Sequence, residues 1–86
     1  MYKVVLTKDA AKYYQKLDSN NKKKINNSIL KLKDNPLEGT NIKRLHGELT
    51  GLYRYRAGNL RIIYKVEQKE LIVVIISIWS RGDVYK

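Results

Sequence analysis

Hydrophobic and polar positions alternate along this chain in ways that mark out most of its elements. Residues 2–6 form a short apolar run, Tyr2-Lys3-Val4-Val5-Leu6, that reads as a first strand. Ala10, Tyr13, Tyr14 and Leu17 then recur at helical spacing and predict a helix over roughly residues 8–17. Thr7 is placed to cap it, and Asp9 complements the dipole in its first turn. Asp18-Ser19-Asn20-Asn21 breaks the pattern, and Ser19 is a candidate cap for a second helix. That helix is expected from about 20 to 34, with Ile25, Ile29, Leu30 and Leu32 as its buried stripe and lysines over the rest. Asp34-Asn35-Pro36 ends it, because a residue before proline avoids helical backbone.

Residues 37–50 carry Gly39, Gly47 and little periodicity, so they read mostly as loop, with a short extended piece at Ile42-Lys43-Arg44-Leu45-His46. Residues 52–56 and 60–66 are rich in Tyr, Ile and Leu, and Gly58-Asn59 between them suits a tight turn: a β-hairpin. Counting outward from that turn sets Ala57 opposite Leu60, Arg56 opposite Arg61, Tyr55 opposite Ile62 and Arg54 opposite Ile63. Glu67-Gln68-Lys69-Glu70 is a polar turn. Leu71 to Trp79 is a nearly unbroken β-branched run, as expected of a central strand buried on both faces. The predicted order is β-α-α-β-β-β. That is an α+β fold, one domain over residues 1–86, with a helical hairpin packed on one face of a twisted, mainly antiparallel sheet.

Charge changes the picture. The chain has 18 basic and 8 acidic residues in 86, a net +10, which favours a polyanionic partner. Nucleic acid is the first candidate, an acidic protein the second and an anionic membrane the third. The membrane loses ground because no long apolar run exists. The N-terminus has no signal-peptide core, and the absence of cysteine excludes disulfides and thiol catalysis; together these fit a cytoplasmic protein. With one His and scattered carboxylates, neither a metal nor another cofactor is expected.

The hairpin register puts Arg54, Arg56 and Arg61 on one face, because side chains alternate along a strand. Like charges directly opposite cost a few tenths to about 1 kcal/mol, a cost a fold accepts more readily when the cluster meets an anion. Guanidinium suits phosphate, since its planar fork donates two parallel hydrogen bonds. The alternative is a solvated face with charges placed for solubility. Clustering argues against it: of five arginines, three fall within eight residues here. The reading is a phosphate-binding concavity, with Lys65 one step further along the same face and Arg81 within reach from the next strand's end.

Tyr85 gains interest beside Arg81 and Arg61, because guanidinium charge favours the phenolate. Alone it would read as a terminal packing residue. Lys43 and Arg44 add charge beside the groove. His46 and Glu48 read as loop residues, Lys22-Lys23-Lys24 as a solvated helix face, and Trp79 as core packing with base stacking as the alternative.

At these residues the chain resembles the RelE/ParE superfamily of bacterial toxins from type II toxin–antitoxin systems. The likeness rests on the helical hairpin with its following proline, on Lys-Arg-Leu-His-Gly at 43–47, and on Gly-Leu-Tyr-Arg-Tyr-Arg-Ala-Gly-Asn-Leu-Arg-Ile-Ile-Tyr at 51–64. The apolar strand and the closing Arg-Gly-Asp-Val-Tyr complete it. The resemblance implies, for the RelE-like branch, an endoribonuclease that cuts messenger RNA at the ribosomal A site. It also implies an acidic antitoxin partner, and a toxin–antitoxin complex that binds operator DNA through the antitoxin. Family positions match Arg54, Arg56, Arg61, Arg81 and Tyr85 as catalytic residues. ParE-like relatives share the fold, inhibit DNA gyrase and generally lack the terminal tyrosine, so Tyr85 favours the nuclease branch. Many relatives carry His just before the last arginine, where this chain has Ser80, and the Arg81-to-Tyr85 spacing also differs from some of them. A plain RNA-binding domain is the third reading.

Overall fold

The computed structural model describes residues 1–80. Its elements are β1 (Lys3–Leu6), α1 (Lys8–Lys16), α2 (Ser19–Asp34), β2 (Ile42–Arg44), a 3-10 turn at Gly47–Leu49, β3 (Tyr53–Ala57), β4 (Leu60–Glu67) and β5 (Ile72–Ser80). The extended piece at 42–46 is thus a true strand of three residues, the fifth of the sheet. Strand order is β1-β5-β4-β3-β2, with only the β1–β5 pair parallel. No helix among the described residues is long and apolar enough to cross a membrane.

Local signals account for the helices. Thr7 Oγ1 accepts from the Ala10 N–H at 3.2 Å and so caps α1. The cap of α2 is Asp18 rather than Ser19: its carboxylate accepts from the Asn21 N–H at 2.9 Å, three residues on. Ser19 is therefore already the first helical residue. At the far end Asn35 leaves the helix with φ −152°, and its side chain accepts from the Leu37 and Glu38 N–H groups, turning the chain into Pro36.

The helices cover one face of the sheet. Ile25 and Leu32 of α2 and Ala10 of α1 are buried against Tyr55, Leu60, Ile62, Tyr64, Val73, Ile75 and Ile78. Leu30, expected in the buried stripe, is 62% exposed, and Ser28 is buried in its place. The reason is angular. At about 100° per residue, positions 25, 28 or 29 and 32 share a face, while 30 lies well round the cylinder. Ser28 is satisfied by donating to the Lys24 carbonyl at 2.8 Å.

The β-branched run behaves differently from expectation at both ends of its description. Leu71 is not in the strand: it takes a left-handed φ of 55° that closes the preceding turn. The strand also buries fully only its helix side, where Val73, Ile75 and Ile78 lie, while Val74, Ile76, Ser77 and Trp79 are half-buried. Pairing with β4 jumps from Tyr64–Ile75 to Ile63–Ser77, so Ile76 is the extra residue of a β-bulge. Thr7 binds the bulge: its hydroxyl donates to the Ile76 carbonyl at 2.7 Å, and its N–H donates to the Ile75 carbonyl.

Candidate nucleic-acid interface

The hairpin forms with the register the turn dictates: Ala57–Leu60, Arg56–Arg61, Tyr55–Ile62 and Arg54–Ile63. Gly58 has φ of 64°, while Asn59 stays at negative φ, the pattern of a II′ turn with glycine first. Lys24 of α2 reaches the tip, its ammonium 3.3 Å from the Asn59 side-chain oxygen. The hairpin's end is thereby tied to the helical layer.

Tyr53, Tyr55 and Ala57 face the helices, so Arg54, Arg56 and Arg61 lie together on the opposite side of the sheet. β2 extends the set. Lys43 pairs with Arg54, which places a fourth cation in the group. Arg44 pairs with Tyr53 and so falls on the other face. Strand alternation separates these sequence neighbours, and Arg44 stands apart from the cluster. Lys65 is on the arginine face, but its ammonium lies 3.3 Å from the Glu67 carboxylate, which offsets its charge locally.

The floor between the arginines is apolar. Ile63 sits across from Arg54, two residues from Arg61, and is only 2% exposed although neither α1 nor α2 lies on this side. Arg54 and Arg61 are themselves half-buried. Among the described residues, neither Arg54 nor Arg56 has a carboxylate partner. Arg54 Nε is buried and makes no hydrogen bond there, and Arg61 Nη1 is buried as well. A buried donor without an acceptor costs on the order of 1–3 kcal/mol, more when charged, unless something supplies the acceptor. An anion laid on this face would do so, and the dry floor would strengthen the attraction.

Other candidates are dispersed. His46 lines a depression with Arg44, Leu45 and Tyr53 at the end of β3 away from the turn, while Arg56 and Arg61 sit beside the turn. The lysine run divides: Lys22 lies over the Tyr14 ring, 5.7 Å from its centroid, and Lys24 holds the hairpin tip. Arg81 and Tyr85 lie outside the described residues. Trp79 is the residue whose position the sequence pattern concealed. It pairs with Arg61 and therefore sits on the arginine face, outside the core cluster. Only the bulge at Ile76, invisible in the apolar run, decides that side.

Comparison with known proteins identifies relatives of the fold as a whole. A family model described as the ParE toxin of type II toxin–antitoxin system, parDE, matches residues 4–85. Among solved structures, a chain of the archaeal RelE–RelB complex from Pyrococcus horikoshii is 28% identical, with 96% of this chain and 98% of that one covered at a TM-score of 0.81. The YoeB/ParE toxin from Agrobacterium tumefaciens is 25% identical, covering 91% and 96% at a TM-score of 0.80. The YoeB dimer from Staphylococcus aureus is 29% identical, covering 88% and 92% at 0.71. No curated protein matches the chain.

Proposed function

The chain belongs to the ParE toxin family of type II toxin–antitoxin systems, within the RelE/ParE superfamily, and from that premise we propose that it is an endoribonuclease cutting messenger RNA in the ribosomal A site. The observation that carries this reading is the alignment of Arg54, Arg56 and Arg61 on one face over an apolar floor, with the buried Nε of Arg54 finding no acceptor among the described residues. RelE and YoeB proteins stand among the structural relatives, which supports the nuclease branch.

The reaction is attack of a ribose 2′-oxygen on the adjacent phosphorus. An O–P bond forms, the bond to the 5′-oxygen breaks, the 2′-hydroxyl loses its proton and the departing 5′-oxygen gains one. Charge builds on the non-bridging oxygens, where Arg61 with Arg54 and Arg56 would bind it more tightly than in the ground state. Tyr85 would accept or orient the 2′-hydroxyl proton, and Arg81 would stabilise the leaving oxygen electrostatically, since a guanidinium is too weak an acid to donate readily. A site so short of ordinary acid–base groups would depend on the ribosome to position its substrate. Lys43 and Lys65 would flank the RNA path. Activity in the cytoplasm follows from a ribosomal target.

An acidic antitoxin would hold the toxin inactive, as the relatives crystallised in RelE–RelB and YoeB–YefM complexes suggest, and would supply the operator-binding part of the pair. The matching family model favours one second reading, a gyrase inhibitor of the ParE type without nuclease activity. Purified ribosomes programmed with a defined message separate the two. Cuts at discrete positions that fall at least a hundredfold in Arg61→Ala and Tyr85→Phe are expected. Intact message together with blocked DNA supercoiling would sink the nuclease reading.

A further inference from the structure

Across the sheet, Arg56 of β3, Arg61 of β4 and Trp79 of β5 form a single row on the open face. Adjacent strands are about 4.8 Å apart, so the indole backbone lies roughly 5 Å from that of Arg61 and roughly 10 Å from that of Arg56. That is the reach of one nucleotide, from phosphate to base. Trp79 is half-buried and excluded from the core cluster that takes its neighbour Ile78. A large aromatic on the sheet face away from the helices, in register with two guanidiniums, is the combination by which proteins hold single-stranded nucleic acid: charge for the backbone, a ring for the base.

We propose that Trp79 is a stacking platform for a nucleobase of the bound RNA, seated beside the phosphate held by Arg61 and Arg56. This rests on the nuclease reading and adds to it a positioning residue. Stacking is tolerant of base identity, because every base has a π-face. Trp79 would therefore set where a nucleotide sits more than which nucleotide it is.

The chain contains one tryptophan, so its fluorescence reports this position alone. The test titrates the full-length protein with a 2′-O-methylated oligouridylate, which cannot be cut, and with an abasic ribose-phosphate oligomer of equal length. Indole emission and the anisotropy of the labelled oligomers are followed together. Expected are quenching by the oligouridylate only, binding about tenfold weaker in Trp79→Leu, near-normal binding in Trp79→Phe, and abasic affinity equal to that of the Leu variant. Thermal melting of both variants checks that they fold. Equal binding by wild type and Trp79→Leu with unchanged emission overturns the platform. If Arg56→Ala still weakens binding in that case, the nuclease reading stands without it. Failure of wild type to bind the oligouridylate overturns the platform, whereas the nuclease reading, which assigns substrate positioning to the ribosome, falls only if programmed ribosomes keep their message intact.

Discussion

Tyr64 is wholly buried, its ring stacked on Tyr53 with centroids 5.5 Å apart, and its hydroxyl donates to the Pro36 carbonyl at 2.7 Å. One side chain thus ties the middle of the sheet to the segment that ends α2. Burial, and then the neighbouring Tyr53 and Tyr55 phenols, push its ionisation well above the ordinary range. The unfolded chain ionises this phenol near pH 10 while the folded one holds the proton. The stabilisation is therefore complete below about pH 10 and is lost as pH rises past it. Tyr64→Phe should cost about 1–2 kcal/mol near neutrality, because the Pro36 carbonyl loses its donor. Urea unfolding measured near neutrality and above pH 10 should show that gap narrowing in alkali. At the same scale, Lys43 and Arg44 show how little sequence adjacency means in a strand, since one joins Arg54 and the other joins Tyr53.

Elements meet at Thr7, which follows β1, caps α1 and supplies the hydroxyl donor to the bulge carbonyl of β5. The bulge matters because an extra residue shifts every later side chain of β5 to the other face. Without it, Trp79 would point into the helical layer and Ile78 onto the arginine face. Thr7→Val removes both side-chain hydrogen bonds while keeping shape. It should cost about 2 kcal/mol, from roughly 1 for the cap and 1 for the bulge carbonyl. Thr7→Ser should retain most of that in the same urea melts, and a Thr7→Val variant no less stable than wild type would refute the role given to Thr7. In the hairpin, by contrast, the Arg56–Arg61 opposition works against the element's own stability. The turn at Gly58-Asn59 and the pairs on the core face, Tyr55–Ile62 and Ala57–Leu60, hold it together.

For the molecule as a whole the net charge is +10, and among the described residues only the side of the sheet away from α1 and α2 presents guanidiniums over an apolar floor. Binding of single-stranded RNA should therefore weaken steeply with salt, log affinity falling with log salt by about 0.7 for each phosphate neutralised. Arg56→Ala should reduce that slope by about 0.7, whereas Lys12→Ala on α1 should leave it unchanged. Anisotropy titrations of a labelled oligouridylate at several salt concentrations measure both. Equal slopes in wild type and Arg56→Ala would place the RNA elsewhere on the molecule.

Both helices, the proline stop and the hairpin with its arginine face were legible in the amino-acid sequence. Each is set by forces acting over a few residues: side-chain spacing on a helix, a cap three positions from its N–H, a glycine that admits positive φ in a two-residue turn. The superfamily was legible too, because its motif lies in that same hairpin. Only the folded chain shows that β1 lies beside β5, that Ile42–Arg44 joins the sheet as an edge strand, and that Leu30 is left exposed. Folding also places the bulge at Ile76 and so turns Trp79 towards the arginines. Those outcomes depend on contacts between residues up to 69 positions apart, such as Thr7 with Ile76. A continuous apolar run looks the same whichever way its side chains turn, and only the partners it packs against choose the side.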